Sequence, residues 1–414
     1  MATKWENDPA VNNFRDYLRF PTVHPNINYD VCLEFLKRQA ASLGLPARVY
    51  EPAPRKPVLV MSWAGTEPTL PSILLNSHMD VVPVFEKSWS HPPFAAHMDP
   101  DGTIYARGAQ DMKCVGAQYL EALRKLRARG VALKRTVHVS FVSDEEIGMP
   151  NGMSEFVKTQ EYRNLNVGFS LDEGMASPTD EYLVFYGERS IWELDIRCPG
   201  TSGHGSLILP NTAGEKIRYM IDKLMDLRAQ EKKKLDDDPR LTVGDVTTVN
   251  LTKLRGGVQA NVVPEELSAT FNIRLALTVN HQEFENMVST LPLFHSYNSV
   301  LRQWAIEAGE GVTLVFDQKD PRVESTKMDS SNPFWTAFKS ATDKLNMNLK
   351  TVVFPAGTDS RFLRQLGVPA LGFSPMNHTE VQLHQHNESL SAETFLRGID
   401  IYVDVITALA NVPE

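Results

Sequence analysis

The chain has 414 residues, 42% of them hydrophobic and 22% charged, which is a globular composition with length for two domains or three. Its formal net charge of -9 opposes the basic face that nucleic acid or an anionic membrane requires, so neither is expected as a partner. Three widely spaced cysteines (Cys32, Cys114 and Cys198) provide neither a disulfide frame nor a thiolate zinc site. The opening MATKWENDPA has no apolar signal core and no Arg-rich transit character, and no apolar run is long enough to span a bilayer. Together with the cysteines, this reads as a cytoplasmic protein.

Short apolar runs alternate with helical patterns through the first half. Residues 72–76, 136–142 and 167–171 read as strands buried on both faces. Between the first two, 111–130 carries Val115, Tyr119, Leu120, Leu123 and Leu126 at helical spacing and stops at Gly130. Strand, helix, strand with short links predicts an α/β fold with a mostly parallel sheet flanked by helices, whose ligands gather at the carboxyl ends of the strands. Near residue 188 the character changes. A half-exposed strand at 191–198, a long helix at 212–234, strands at 246–254 and 267–275 and a further helical stretch suit a small α+β domain inserted into the larger one. After about residue 311 the α/β alternation resumes, with strands at 312–316, 351–354 and 370–373, a helix near 333–345 and a closing helix from about 392. The expected division is therefore 1–187 plus 311–414 for one domain and 188–310 for the insertion. The run 231–238 is a solvated helix end.

Five stretches place an acid or a histidine after an apolar strand or in a loop. In Ser77-His78-Met79-Asp80, positions i and i+2 point the same way, so Asp80 can hydrogen-bond the far nitrogen of His78 and fix its tautomer for a metal; a structural histidine fits the same pattern. A glycine-containing loop delivers Asp111 to the start of a helix, where it could equally be a cap. Asp144-Glu145-Glu146 follows a buried strand, and three acids there are costly unless a cation neutralises them; surface acids before a turn are the plainer alternative. Asp172-Glu173-Gly174 ends another strand, and His384-Gln385-His386-Asn387-Glu388 precedes the final helix. Singly, each has an ordinary explanation. Jointly they supply a two-zinc site, in which each ion takes one histidine and one terminal carboxylate, the pair shares a carboxylate and a water, and one glutamate remains as general base.

In order and spacing these motifs resemble the aminoacylase and carboxypeptidase branch of the co-catalytic zinc peptidase family, across roughly residues 10–410. Leu74-Leu-Asn-Ser-His-Met-Asp-Val-Val-Pro-Val84, Tyr105-Ala-Arg-Gly-Ala-Gln-Asp-Met-Lys-Cys114 and Leu371-Gly-Phe-Ser-Pro-Met376 carry the match beyond the ligand set. The resemblance implies a zinc exopeptidase-like catalytic domain, an inserted dimerisation domain, a homodimer and two Zn2+ per subunit. It implies that His78, Asp111 and Asp172 hold the first ion and Asp111, Glu146 and His384 the second, with Glu145 as general base and Asp80 orienting His78. His384 is chosen over His386 because it begins the family's His-x-x-Asn-Glu pattern. His204, in Gly203-His204-Gly205-Ser206, corresponds to a histidine that reaches the partner's active site and stabilises the oxyanion; an exposed loop histidine is the plainer alternative. Asn261 and Arg274 match substrate-binding positions, and the loop of Gly357, Thr358 and Arg361 matches the one that receives the substrate carboxylate. The implied reaction is hydrolysis of N-acyl-L-amino acids, with acetyl groups on aliphatic residues such as methionine expected. The rivals are a dipeptidase or carboxypeptidase, an acetylornithine or succinyl-diaminopimelate type deacylase, and an inactive binding protein. One departure is the stretch between Met287 and Leu301, which is longer than the family's helix and is interrupted by Pro292, so an insertion is expected there.

Overall fold

The computed structural model describes residues 4–148, 151–286 and 300–414, and the departure expected between Met287 and Leu301 lies almost wholly outside them. The chain divides into two compact units. The larger comprises 1–186, 325–351 and 358–414; the smaller comprises 187–324 and 352–357.

An eight-stranded sheet organises the larger unit, in the order Ala47–Ala53, Lys56–Trp63, Val137–Val142, Ser72–His78, Val167–Asp172, Ala370–Phe373, Glu181–Glu188, Asn348–Phe354. Its centre is parallel: Ser72–His78 pairs in parallel with both Val137–Val142 and Val167–Asp172, and Ala370–Phe373 continues the parallel run. Antiparallel pairing enters towards the edges. The central strands are buried throughout because both sheet faces are covered. Alternate residues accordingly enter different cores. Leu59, Met61, Ile73, Leu75, Val139 and Phe141 join the cluster containing helices Pro9–Leu18, Lys113–Ala128 and Ala392–Ala410. Val58, Val60, Leu74 and Val142 join the one containing Met153, Phe156 and Leu363.

The smaller unit has its own antiparallel sheet, ordered Thr248–Gly256, Glu266–Leu275, Ser190–Pro199, Thr313–Lys319. Helix Ala213–Asp237 covers it, started by a capping box between Thr212 and Glu215. Trp192, Leu194, Ile196, Phe271 and Ile273 fill a separate core with Ile217, Met220 and Leu224. The expected return to the larger unit at residue 311 is corrected here. Thr313–Lys319 pairs antiparallel with Ser190–Pro199, so the insertion extends through Glu324 and closes its own sheet.

Candidate metal centre

The loops that follow the parallel strands carry most of the expected acids and histidines. His78 is the last residue of Ser72–His78 and is fully buried. Its Nδ1 lies 2.9 Å from the Asp80 main-chain oxygen, which fixes the tautomer and leaves Nε2 facing the site. Asp80 therefore orients His78 chiefly through its carbonyl, since the carboxylate is 3.8 Å from Nδ1. That carboxylate instead accepts the main-chain N–H groups of Glu145 and Glu146, at 3.2 and 3.0 Å, and meets His24 Nε2 at 2.8 Å. Asp80 thus shapes the acidic loop, and His24 is a participant the motifs did not point to.

Asp111 precedes helix Lys113–Ala128 without capping it; the N-cap position is Met112. Its carboxylate lies between two imidazoles, with Oδ1 3.1 Å from His78 Nε2 and Oδ2 3.3 Å from His384 Nε2. Glu146 Oε2 is 3.0 Å from the same His384 nitrogen. His386 points elsewhere, with its ring edge-on to Phe85 at a centroid distance of 6.0 Å.

The structure corrects the expectation for Asp172. Its Oδ1 accepts from Asn76 at 3.0 Å and its Oδ2 from Ser360 at 2.8 Å, within the protein. The neighbouring Glu173 faces the histidine, with Oε2 3.6 Å from His78 Nε2. Successive residues of an extended strand point to opposite faces, so the acid that enters the site is Glu173. Ligand atoms of His78, Glu145 and Glu173 lie within 4.8 Å of one another, as do those of His78, Asp111 and Glu146.

Electrostatics give an independent test of whether a cation fits. Burial pushes the carboxyls of Glu145 and Glu173 well above the ordinary range, reinforced on Glu145 by Glu173 and on Glu173 by Asp111. Glu146 is pushed up to about 7 by burial and by Asp111. Asp111 moves the other way despite its burial, because His384 and His78 hydrogen-bond to it. Reciprocally, Asp111 and Glu146 raise His384 to about 10. Glu146 Oε1 is also buried without a hydrogen-bond partner. This is a dense patch of desolvated negative charge with unused lone pairs, and two imidazoles compensate it only in part. Divalent cations relieve that imbalance, and a carboxylate set between two histidines suits a pair of ions. The histidine, aspartate and glutamate donors suit zinc, and no thiolate is needed.

The remaining candidates fall in two places. Thr358 and Arg361 are buried in the larger unit, with the Arg361 N–H donating to Thr358 O at 3.3 Å; Gly357 is grouped with the smaller unit. In the smaller unit His204 pairs with Val262 in a two-stranded ribbon, and Gly205 N–H donates to Asn261 O at 2.7 Å, so His204 and Asn261 are neighbours. Arg274 lies on strand Glu266–Leu275, its Nε donating to Asn272 at 3.0 Å.

Comparison with known proteins places the chain in a family. Residues 74–408 match the model of peptidase family M20/M25/M40. Aminoacylase-1 from Homo sapiens is 48% identical over 408 residues, covering 99% of this chain and 97% of that protein. Aminoacylase-1 from Dictyostelium discoideum is 42% identical over 423 residues, covering 99% and 100%. A dinuclear metal-binding M20 peptidase from Bacillus subtilis has the same fold, with a TM-score of 0.68 at 18% identity over 98% of both chains. A metal-compatible cluster at the carboxyl ends of a parallel sheet and full-length similarity lead to one conclusion: the chain belongs to peptidase family M20/M25/M40.

Proposed function

We propose that the protein hydrolyses the amide bond of N-acyl-L-amino acids, giving a carboxylate and a free L-amino acid. The observation that carries this reading is the constellation centred on buried Asp111, with buried His78 on one side and solvent-facing His384 on the other, in a chain that aligns almost end to end with aminoacylase-1. Two Zn2+ per subunit are assigned to it, one with His78, Asp111 and Glu173, the other with Asp111, Glu146 and His384. When bound, such ions polarise the scissile carbonyl and acidify water. Glu145 takes a proton from the attacking water and delivers it to the leaving nitrogen. Its burial and its acidic neighbours favour proton uptake, as a general base requires.

Asn261, Arg274, Gly357, Thr358 and Arg361 are assigned to substrate, with Arg361 or Arg274 pairing with its carboxylate through two parallel hydrogen bonds. His204 is assigned to the oxyanion in the partner subunit of a homodimer. Its ring is oriented by Ser206 Oγ, 2.8 Å from Nδ1, and Leu207, Ile208 and Val262 remain exposed beside it, an apolar surface suited to a second copy. Three free, buried cysteines support a cytoplasmic setting. No helix among the described residues is long and apolar enough to cross a membrane.

Acetyl groups on aliphatic amino acids, methionine in particular, are the expected substrates. The test is amine release from N-acetyl-L-methionine and from an unblocked dipeptide, with zinc-loaded and chelator-stripped protein. Metal-dependent cleavage of the acetylated compound, with the dipeptide nearly intact, is the expected result. The reverse preference would make the protein a dipeptidase.

A further inference from the structure

The loop bearing Asp111 and the loop bearing His384 are laced together by two buried charges, Arg107 and Glu388. Glu388 Oε2 accepts from Arg107 Nη1 at 2.8 Å and from Gly108 N–H at 3.1 Å. Its Oε1 accepts from the main-chain N–H groups of Gln110 at 2.6 Å and Asp111 at 3.1 Å. Its carbonyl accepts from Ala106 N–H at 3.0 Å. One residue of the second loop thus holds five donors between Ala106 and Asp111 of the first and ends on the amide of Asp111 itself.

Arg107 returns the contact. Its Nη1 donates to Gln385 O at 3.1 Å and its Nη2 to His384 O at 3.3 Å, and its guanidinium lies 5.3 Å from the centre of the Trp89 ring. His384 has φ +60°, a left-handed conformation uncommon outside glycine, so a donor fixed on its carbonyl helps hold the imidazole where it meets Asp111 and Glu146. Burying two charges is no cheap route to stability, since an apolar pair of similar volume often serves as well. What this pair adds is register between two loops, each donating a group to the same candidate metal.

We propose that Arg107 and Glu388 form a positioning clamp that sets the affinity of the ion held by Asp111, Glu146 and His384. The inference rests on the two-metal reading above. Neither residue touches substrate or metal; both act through the Asp111 amide and the His384 carbonyl.

The test compares wild type with Arg107→Lys and Glu388→Gln. Arg107→Lys keeps the charge beside Glu388 but lacks the fork that reaches two carbonyls, so it folds more readily than a variant with a bare buried charge. Stepwise Zn2+ affinities are read by competition with a chromophoric chelator, and Co2+ spectra report the ligand field. Thermal unfolding of metal-stripped protein checks the fold. Expected for Arg107→Lys is a 10- to 100-fold weakening of one ion, as is typical when support for a metal ligand is removed, about the same affinity for the other, and an altered Co2+ spectrum. At limiting zinc kcat falls with KM unchanged, and added zinc restores it. Folded Arg107→Lys with both affinities and the Co2+ spectrum unchanged overturns the clamp, as does equal weakening of both ions. If Glu388→Gln folds, it must weaken the same ion, with the other, which shares Asp111, weakened no more than that one; no loss at the first ion overturns the clamp. Wild type that binds no ion overturns the two-metal reading as well, which separates that failure from failure of the clamp alone.

Discussion

Asp172 and Glu173 are adjacent acids, yet their side chains have different fates. Asp172 is held by Asn76 and Ser360, whereas Glu173 faces His78. The motif shows that an acid is delivered at this strand end, but not which one, because the strand is buried on both faces and no polar alternation marks the open side. Tertiary contacts decide it: Asn76 donates to both Asp172 and Asp359, and Ser140 donates to Asn76, a network assembled from four separate segments. Glu173→Ala is expected to reduce zinc content by about one ion per chain in folded protein. Asp172→Asn is expected to lower thermal stability while two ions still bind. Metal analysis of the two variants checks this, and the opposite pattern would restore Asp172 as the ligand. At Glu145, the residue assigned as base, Glu145→Gln removes the ionisable carboxyl and keeps the shape. Zinc content should stay normal while kcat drops about 10²- to 10⁴-fold, the range general-base catalysis supplies. Substantial activity in that variant would remove the assignment.

Among the elements, the central strands were legible from their apolar runs and the helices from their periodicity. Lys113–Ala128 and Ala392–Ala410 lie where that spacing placed them. Thr313–Lys319 was legible as a strand and not in its partner. Local alternation fixes a strand's faces, whereas its sheet depends on pairing with Ser190–Pro199 far back in sequence. Strand Val137–Val142 also carries a pH effect. His138 is buried in it, its Nδ1 2.8 Å from Ser62 Oγ and its Nε2 3.2 Å from Leu165 O, and burial lowers it from 6.5 to about 4. The unfolded chain takes up this proton as pH falls through 6.5, while the folded chain resists until about 4. Stability from this residue is therefore full above 6.5, is lost between 6.5 and 4, and falls no further below that. Relative to wild type, His138→Gln should remove up to about 3 kcal/mol of acid destabilisation across this window. Denaturant unfolding at pH 7, 5.5 and 4.5 checks it; a difference between the two proteins that does not vary with pH would contradict it.

For the whole molecule, the sequence motifs divide between the two units. The metal candidates belong to the larger unit, and His204, Asn261 and Arg274 to the smaller. If His204 serves the partner's site, His204→Ala and Glu145→Gln chains, each nearly inactive alone, should regain activity when co-assembled. A confirmed mixed dimer with no recovery would exclude action in trans. The central claim is that Asp111 joins two ions into one catalytic centre. It is tested most directly by titrating Zn2+ into chelator-stripped protein while following amine release from N-acetyl-L-methionine. Activity is predicted to reach its plateau at two ions per chain, with the second ion required for most of it. A plateau at one ion, or activity that persists without metal, would contradict the account.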